Sequence, residues 1–145
     1  MLFRSPSSSA SIGDAAAYSV SSDVSKAPTI SIDKQAGDVS QLIVKDIVPG
    51  TGAAVQATDN VTVNYVGWHT DGTVFDSSWA AGSTASFPLN GVILGWQQGL
   101  VGMKVGGRRL LVIPGDLAYG PNGSPDGSIK PNETLIFAVD LVSIP

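Results

Sequence analysis

The chain contains no cysteine, which excludes disulfide staples, thiol nucleophiles and cysteine-ligated zinc. It contains one histidine, His69, so a histidine-rich metal site is excluded too, and neither a metal nor an organic cofactor is expected. Charged residues make up only 14% of the chain, well below the usual level of about a quarter. No basic block occurs. Lys104, Arg108 and Arg109 come nearest to one, and they read as a solvated strand edge. With a net charge of −4 and no such block, nucleic acid is not expected as a partner, because affinity there rests largely on neutralising phosphates. No apolar run approaches the roughly 18 residues of a helical span, so direct membrane insertion is not expected. The start, Met1 to Ser5, carries no apolar h-region, and no cysteine is present for a lipid anchor. Lack of cysteine leaves the compartment open, since cytoplasm and cell envelope both accommodate such a chain.

What is present points to a β-rich fold. Hydrophobic residues make up 43% of 145 residues, with 17 Gly and 9 Pro, enough for one turn-rich domain and a tail. Residues 1–40 read as a flexible, Ser-rich N-terminal tail or linker. Ser5 to Ser11 is almost entirely Ser, Ala and Pro, and buries too little apolar surface to offset its ordering entropy. Within this tail only Pro28 to Ile32 alternates as a short strand would. The folded domain is expected over residues 41–145.

In that domain Leu42-Ile43-Val44 opens a strand that stops at the Pro49-Gly50-Thr51-Gly52 turn. Val61 to Gly67 alternates with period two, and Asp71-Gly72 marks a hairpin before Thr73-Val74-Phe75. Further strands are read at Thr84 to Leu89, Arg109 to Ile113 and Thr134 to Ser143. In the last, Leu135, Phe137, Val139 and Leu141 share one face, and Ile136, Ala138, Asp140 and Val142 the other. Trp96, Leu100 and Met103 break the pattern with helical spacing. Gly99 and Gly102 weaken that helix, which must depend on packing. The expected class is α+β, with one helix covering a sheet face.

Five blocks occur in register: Val63-Asn64-Tyr65-Val66-Gly67; Asp71-Gly72 with Phe75-Asp76-Ser77-Ser78; Val92-Ile93-Leu94-Gly95-Trp96 through Gly99, Met103 and Val105-Gly106; Ala118-Tyr119-Gly120; and Ile129 through Phe137. Together they resemble the FKBP-type peptidyl-prolyl cis–trans isomerases. Details such as Gly67-Trp68 and Phe75-Asp76-Ser77-Ser78-Trp79 are similar to bacterial, particularly actinobacterial, members, in which a Ser-rich start fits a linker from a longer exported chain. The resemblance implies a strongly twisted antiparallel β-sheet wrapped around one short α-helix, with a pocket between them. It places Tyr65, Phe75, Asp76, Phe87, Val92, Ile93, Trp96, Tyr119, Ile129 and Phe137 at that pocket, with Trp96 as floor and Tyr65, Phe75 and Phe137 as walls. Tyr65, Asp76, Trp96, Tyr119 and Phe137 would carry catalysis. The Ile93 N–H and the Tyr119 hydroxyl would hold substrate carbonyls, and Asp76 would orient the Tyr65 ring. The implied partners are proline-containing polypeptides and macrolide inhibitors, and a monomer is expected.

The same residues have plainer readings. Trp96 and Phe137 suit a core, Asp76 suits a turn cap before Ser77-Ser78, and His69 suits a solvated position beside the Asp71-Gly72 turn. His69, Asp76 and Ser77 do not make a hydrolase, because no nucleophile elbow or oxyanion loop accompanies them. A proline-binding chaperone module with little turnover and an adhesion-type β domain are the alternatives to an enzyme. Two stretches depart from the resemblance. Trp79 to Ser86 lacks the basic residue that would pair with Asp76, and lacks an aromatic near Ala85, leaving Trp79 to fill that side. Pro121 to Ser128 has its own composition, so substrate preference is expected to diverge there.

Overall fold

The computed structural model describes residues 17–33 and 37–145. The Ser5 to Ser11 part of the expected tail lies outside the described residues. The strands are β1 (Tyr18–Val20), β2 (Ile30–Ile32), β3 (Ile43–Val48), β4 (Asn60–Trp68), β5 (Val74–Ser77), β6 (Ala85–Pro88), β7 (Arg108–Ile113) and β8 (Leu135–Ser143). Two short helices, α1 (Ser78–Ala81) and α2 (Leu94–Gly99), interrupt them.

Strands β3 to β8 form one six-stranded antiparallel sheet in the order β3-β7-β8-β4-β5. The free edge of β4 is shared. Its first half pairs with β6, from Asn60–Pro88 to Val63–Ala85, and its second half pairs with β5, from Val66–Ser77 to Trp68–Val74. Helix α1 fills the gap between the two partners. It is a single turn that the periodicity did not announce, and local chemistry makes it: the Ser77 side chain accepts the Ala80 N–H, and Gly82 closes the turn at φ +80°. Ser77, not Asp76, is therefore the cap.

The period-two pattern of β8 separates two cores. Leu135, Phe137, Val139 and Leu141 join Trp96, Leu100, Met103, Leu111 and Ile113 on the side covered by α2. Ile136 and Ala138 join Leu110, Val112, Val66 and Trp68 on the other side. Helix α2 reaches the sheet because two of its residues have no side chain. A methyl group on Gly99 would sit 2.6 Å from Leu111 Cδ2, and one on Gly95 would collide with Ile113. Gly95 and Gly99, both costly to helix propensity, are thus what bring Trp96 down onto the sheet, while Gly102 lies beyond the helix end.

The second core is closed by β1 and β2, an antiparallel pair. Ala17 and Tyr18 are buried there, with Val20, Ile30 and Ile32 packed alongside. Residues 17–33 therefore form a packed hairpin rather than a flexible tail, with β2 falling inside the Pro28 to Ile32 stretch read as a short strand. The Ser-rich composition concealed this, because a handful of apolar residues suffices when a ready apolar surface receives them. Arg108 and Arg109 also differ from a solvated edge: they are 0% and 9% exposed. β7 lies between β3 and β8, so both side chains are enclosed and each finds a carboxylate. Arg109 Nε donates to Asp46 Oδ1 at 2.7 Å. Arg108 holds Asp140 through Nε (2.6 Å) and Nη2 (2.8 Å), and donates to the Ser21 and Lys26 carbonyls at 2.8 and 2.7 Å. Lys104 alone of the three is exposed.

Candidate active site

Between α2 and the sheet lies a cavity of about 280 Å³ lined by Tyr65, Phe75, Asp76, Phe87, Gly91, Val92, Ile93, Trp96, Tyr119 and Phe137. Nine of the ten pocket residues expected from the sequence are brought together there. The tenth, Ile129, is 3% exposed in the core and lines a neighbouring groove with Phe75, Asp76, Tyr119 and the 124–128 loop. Gly91 joins the pocket without having been expected.

Trp96 sits at the centre. Its ring meets Tyr65, Phe87 and Phe137 edge-to-face, with centroids 5.4, 5.7 and 5.3 Å away and interplanar angles of 85°, 89° and 87°. This is the favoured arrangement of aromatic quadrupoles, so each ring limits the movement of the others. Phe75 continues the wall, 5.5 Å from Phe137 and nearly perpendicular to it. The wall requires Gly67. That residue faces Phe137 across the β4–β8 ladder and Asp76 across β4–β5. A methyl group on it would lie 2.7 Å from Phe75 Cζ and 2.9 Å from Phe137 Cε1.

The polar groups are few and well tied. The Tyr65 hydroxyl donates to Asp76 Oδ2 at 2.7 Å. Burial, then this hydrogen bond and the Asp76 charge, push the phenol well above its ordinary range, so Tyr65 remains a neutral donor at any working pH. No lysine or arginine pairs with Asp76 among the described residues. Its partner is the phenol. Two positioning contacts escaped the sequence reading. Where α1 interrupts the ladder, Ser78 Oγ accepts the Tyr65 N–H at 2.7 Å and donates to Asn64 Oδ1 at 3.0 Å. Gln97 Nε2 donates to the Val92 carbonyl at 2.7 Å, fixing the pocket lip. The Ser-Ser pair after Asp76 was the only sequence signal for the first.

Trp79 does not fill the pocket side that Trp79 to Ser86 leaves open. It packs against the second core, behind the sheet. Tyr119 stands at the mouth, 42% exposed. Beyond it the 124–128 loop is closed on itself. Asp126 Oδ1 accepts the Ser124 hydroxyl (2.7 Å), the Ser128 N–H (2.9 Å) and the Ser128 hydroxyl (2.7 Å). These bonds hold its carboxyl down at about 2.

The site is thus an apolar aromatic pocket in an α+β domain, carrying a phenol tied to a carboxylate. The comparisons sharpen that class. The family model for the FKBP-type peptidyl-prolyl cis-trans isomerase matches residues 52–142. The chain is 52% identical over 103 residues to a probable FK506-binding protein of Corynebacterium glutamicum, covering 70% of this chain and 86% of that one. It is 50% identical over 108 residues to an FK506-binding protein of Streptomyces anulatus, covering 72% and 87%. The crystal structure of FkpA from Escherichia coli superposes with a TM-score of 0.68 at 43% identity, covering 77% of this chain and 53% of that one. The chain belongs to the FKBP-type family, and it is a peptidyl-prolyl cis-trans isomerase.

Proposed function

We propose that isomerisation takes place in the Trp96 pocket, with the proline ring of the substrate on the indole and the X–Pro amide between Tyr65, Asp76 and Tyr119. The observation that carries this reading is the Trp96 ring held edge-to-face by three aromatic neighbours at the base of a cavity open to solvent.

The chemistry suits such a site. Amide resonance sets a rotational barrier of about 18–20 kcal/mol. Rotation breaks no covalent bond, so neither a nucleophile nor a metal is required. The twisted amide has lost resonance and charge separation, and is less polar than the planar one. An apolar pocket that excludes water therefore binds the transition state better than the ground state. Phe75, Phe87, Val92 and Phe137 supply the apolar walls. The Ile93 N–H and the Tyr119 hydroxyl hold the flanking carbonyls, and Asp76 keeps the Tyr65 hydroxyl turned to itself, so the phenol presents its ring. FK506-like macrolides occupy the same pocket, and the domain acts as a monomer on proline-containing chains.

The test is turnover of an X–Pro tetrapeptide by the wild type and by Trp96→Ala, each with and without FK506. Wild-type turnover blocked by FK506, and loss of turnover in a folded Trp96→Ala, is the expected result. Near-normal activity of Trp96→Ala would sink the assignment, and FK506 binding without turnover in the wild type would make the domain a binding module.

A further inference from the structure

His69 lies outside the pocket and is not a solvated turn residue: its side chain is 24% exposed and its Nδ1 pairs with Glu133 Oε2. The imidazole packs against the outer side of the pocket wall, its centroid 5.3 Å from the Phe75 ring at an angle of 54°. Phe75 in turn meets Phe137, and Phe137 meets Trp96. A continuous row of rings thus runs from His69 to the pocket floor.

Glu133 is itself held in place. Its Oε1 accepts the Lys130 N–H at 2.8 Å. The preceding Asn132 takes a left-handed conformation, φ 58°, which asparagine tolerates better than most residues. Its N–H donates to the Gly120 carbonyl at 2.8 Å. On the other side, Thr134 Oγ1 accepts the Val39 N–H at 3.0 Å. The carboxylate is presented to His69 from a turn anchored at both ends. The His69 backbone is fixed as well, by its N–H to the Thr73 carbonyl at 2.8 Å and the Gly72 N–H to its own carbonyl at 2.9 Å.

Phe75 needs such support. β5 is an edge strand of four residues, and its register with β4 shifts between Gly67 and Trp68. Phe75 is only half-buried, and Gly67 beneath it offers no side chain. One side of its ring faces the pocket, and His69 is the ring found on its outer side.

We propose that His69, locked by Glu133, is a positioning residue for catalysis: it buttresses Phe75 so that this wall of the pocket stays closed on the substrate proline. The role belongs to the flat ring at position 69, and Glu133 acts only through it. The inference rests on the Trp96 pocket being the reaction site.

The experiment measures kcat and KM on a Leu–Pro tetrapeptide for the wild type, His69→Ala, His69→Asn, His69→Phe, Glu133→Ala and the double variant His69→Phe/Glu133→Ala. Losing one aromatic contact corresponds to a fall in kcat/KM of about three- to tenfold. His69→Ala is expected to show it, chiefly as a raised KM, because Phe75 contacts the bound ring and carries no reacting group. His69→Asn keeps a donor for Glu133 but no ring, and is expected to lose as much. His69→Phe keeps the ring without the contact to Glu133 and is expected to recover most of the activity. Glu133→Ala is expected to cost activity when His69 is present and to cost less in the His69→Phe background, a coupling that a general loss of stability would not produce. Activity of His69→Ala within about twofold of wild type, or His69→Phe as poor as His69→Ala, overturns the proposal. If Trp96→Ala is inactive while His69→Ala is normal, only this inference fails. If Trp96→Ala is fully active, the pocket reading fails and takes this one with it.

Discussion

Strand β8 sends similar residues to both sides of the sheet, yet the two sides end in opposite states. On one side Phe137, with Trp96, Tyr65 and Phe75, leaves a cavity of about 280 Å³ open to solvent. On the other, Ile136 and Ala138 are sealed beneath the β1–β2 hairpin, and the buried Arg108 and Asp140 are locked to each other. The difference lies in what covers each face. Helix α2 is six residues long and lies against β7 through glycine contacts, so it covers only part of its face and the aromatic rings border the rest. The hairpin is fastened by Arg108, whose guanidinium reaches Asp140 and two hairpin carbonyls at once. An open apolar face suits ligand binding. A closed one contributes stability.

The comparison breaks if the faces do not separate stability from activity. The largest effect is expected at Arg108→Ala. Removing one partner of a buried ion pair costs about 3–5 kcal/mol, and here two carbonyls also lose their donor. The urea midpoint should fall accordingly, while turnover per folded molecule in buffer stays at the wild-type value. A loss below about 1 kcal/mol would mean that the outer face is not closed by this contact.

Gly67→Ala should do the reverse. The added methyl displaces Phe75 and Phe137, overpacking of a kind that costs about 1–3 kcal/mol. Misplacement of the walls should lower kcat/KM on the order of ten- to a hundredfold. Stopped kinetics alongside a melting curve would separate the two effects, and a variant that loses stability but keeps its activity would contradict the wall geometry.

Tyr65→Phe is a gentler cut on the same side. It removes one hydrogen bond to Asp76, about 0.5–1.5 kcal/mol, and should reduce kcat/KM only a few-fold, with FK506 affinity following it.

The smallest effect concerns the pocket rim. The Asp126 carboxyl is held at about 2 by its serine partners, below an ordinary aspartate at about 3.9. A depressed carboxyl contributes stability that is fully present above the ordinary value and is lost as pH falls through the folded one. Amide exchange at Ser128 and Ile129 should therefore speed up, relative to the rest of the chain, between about pH 4 and pH 2. Asp126→Asn, which keeps the accepting oxygen, should abolish that pH dependence.

Much of this molecule was legible in local patterns. Period-two alternation located β4 and β8 and sorted the faces of β8 correctly, because a strand's pleat admits only that division. The helical spacing of Trp96, Leu100 and Met103 pointed to α2, but the helix ends at Gly99 and holds only Trp96 of the three, with Leu100 and Met103 buried in the chain that follows it. Eight of the ten residues lining the cavity lie in the five motif blocks, Phe87 was expected from the wider resemblance, and Gly91 was not expected at all. The misreadings arose where a residue's surroundings come from distant chain. Arg108 looks exposed until β3, β8 and a hairpin some 80 residues away in sequence enclose it. Trp79 looks available to the pocket until α1 turns it behind the sheet. His69 looks like a turn residue until Glu133, 64 positions later, arrives beside it.

The sequence by itself determined the strand faces, the aromatic set of the pocket and the family, because these rest on side-chain type and short-range spacing. Only the tertiary structure decided which face is sealed, which charges are buried and what stands behind the pocket wall. Those depend on contacts between segments far apart along the chain, whose meeting is set by the closure of the whole sheet. Local pattern carries no record of it.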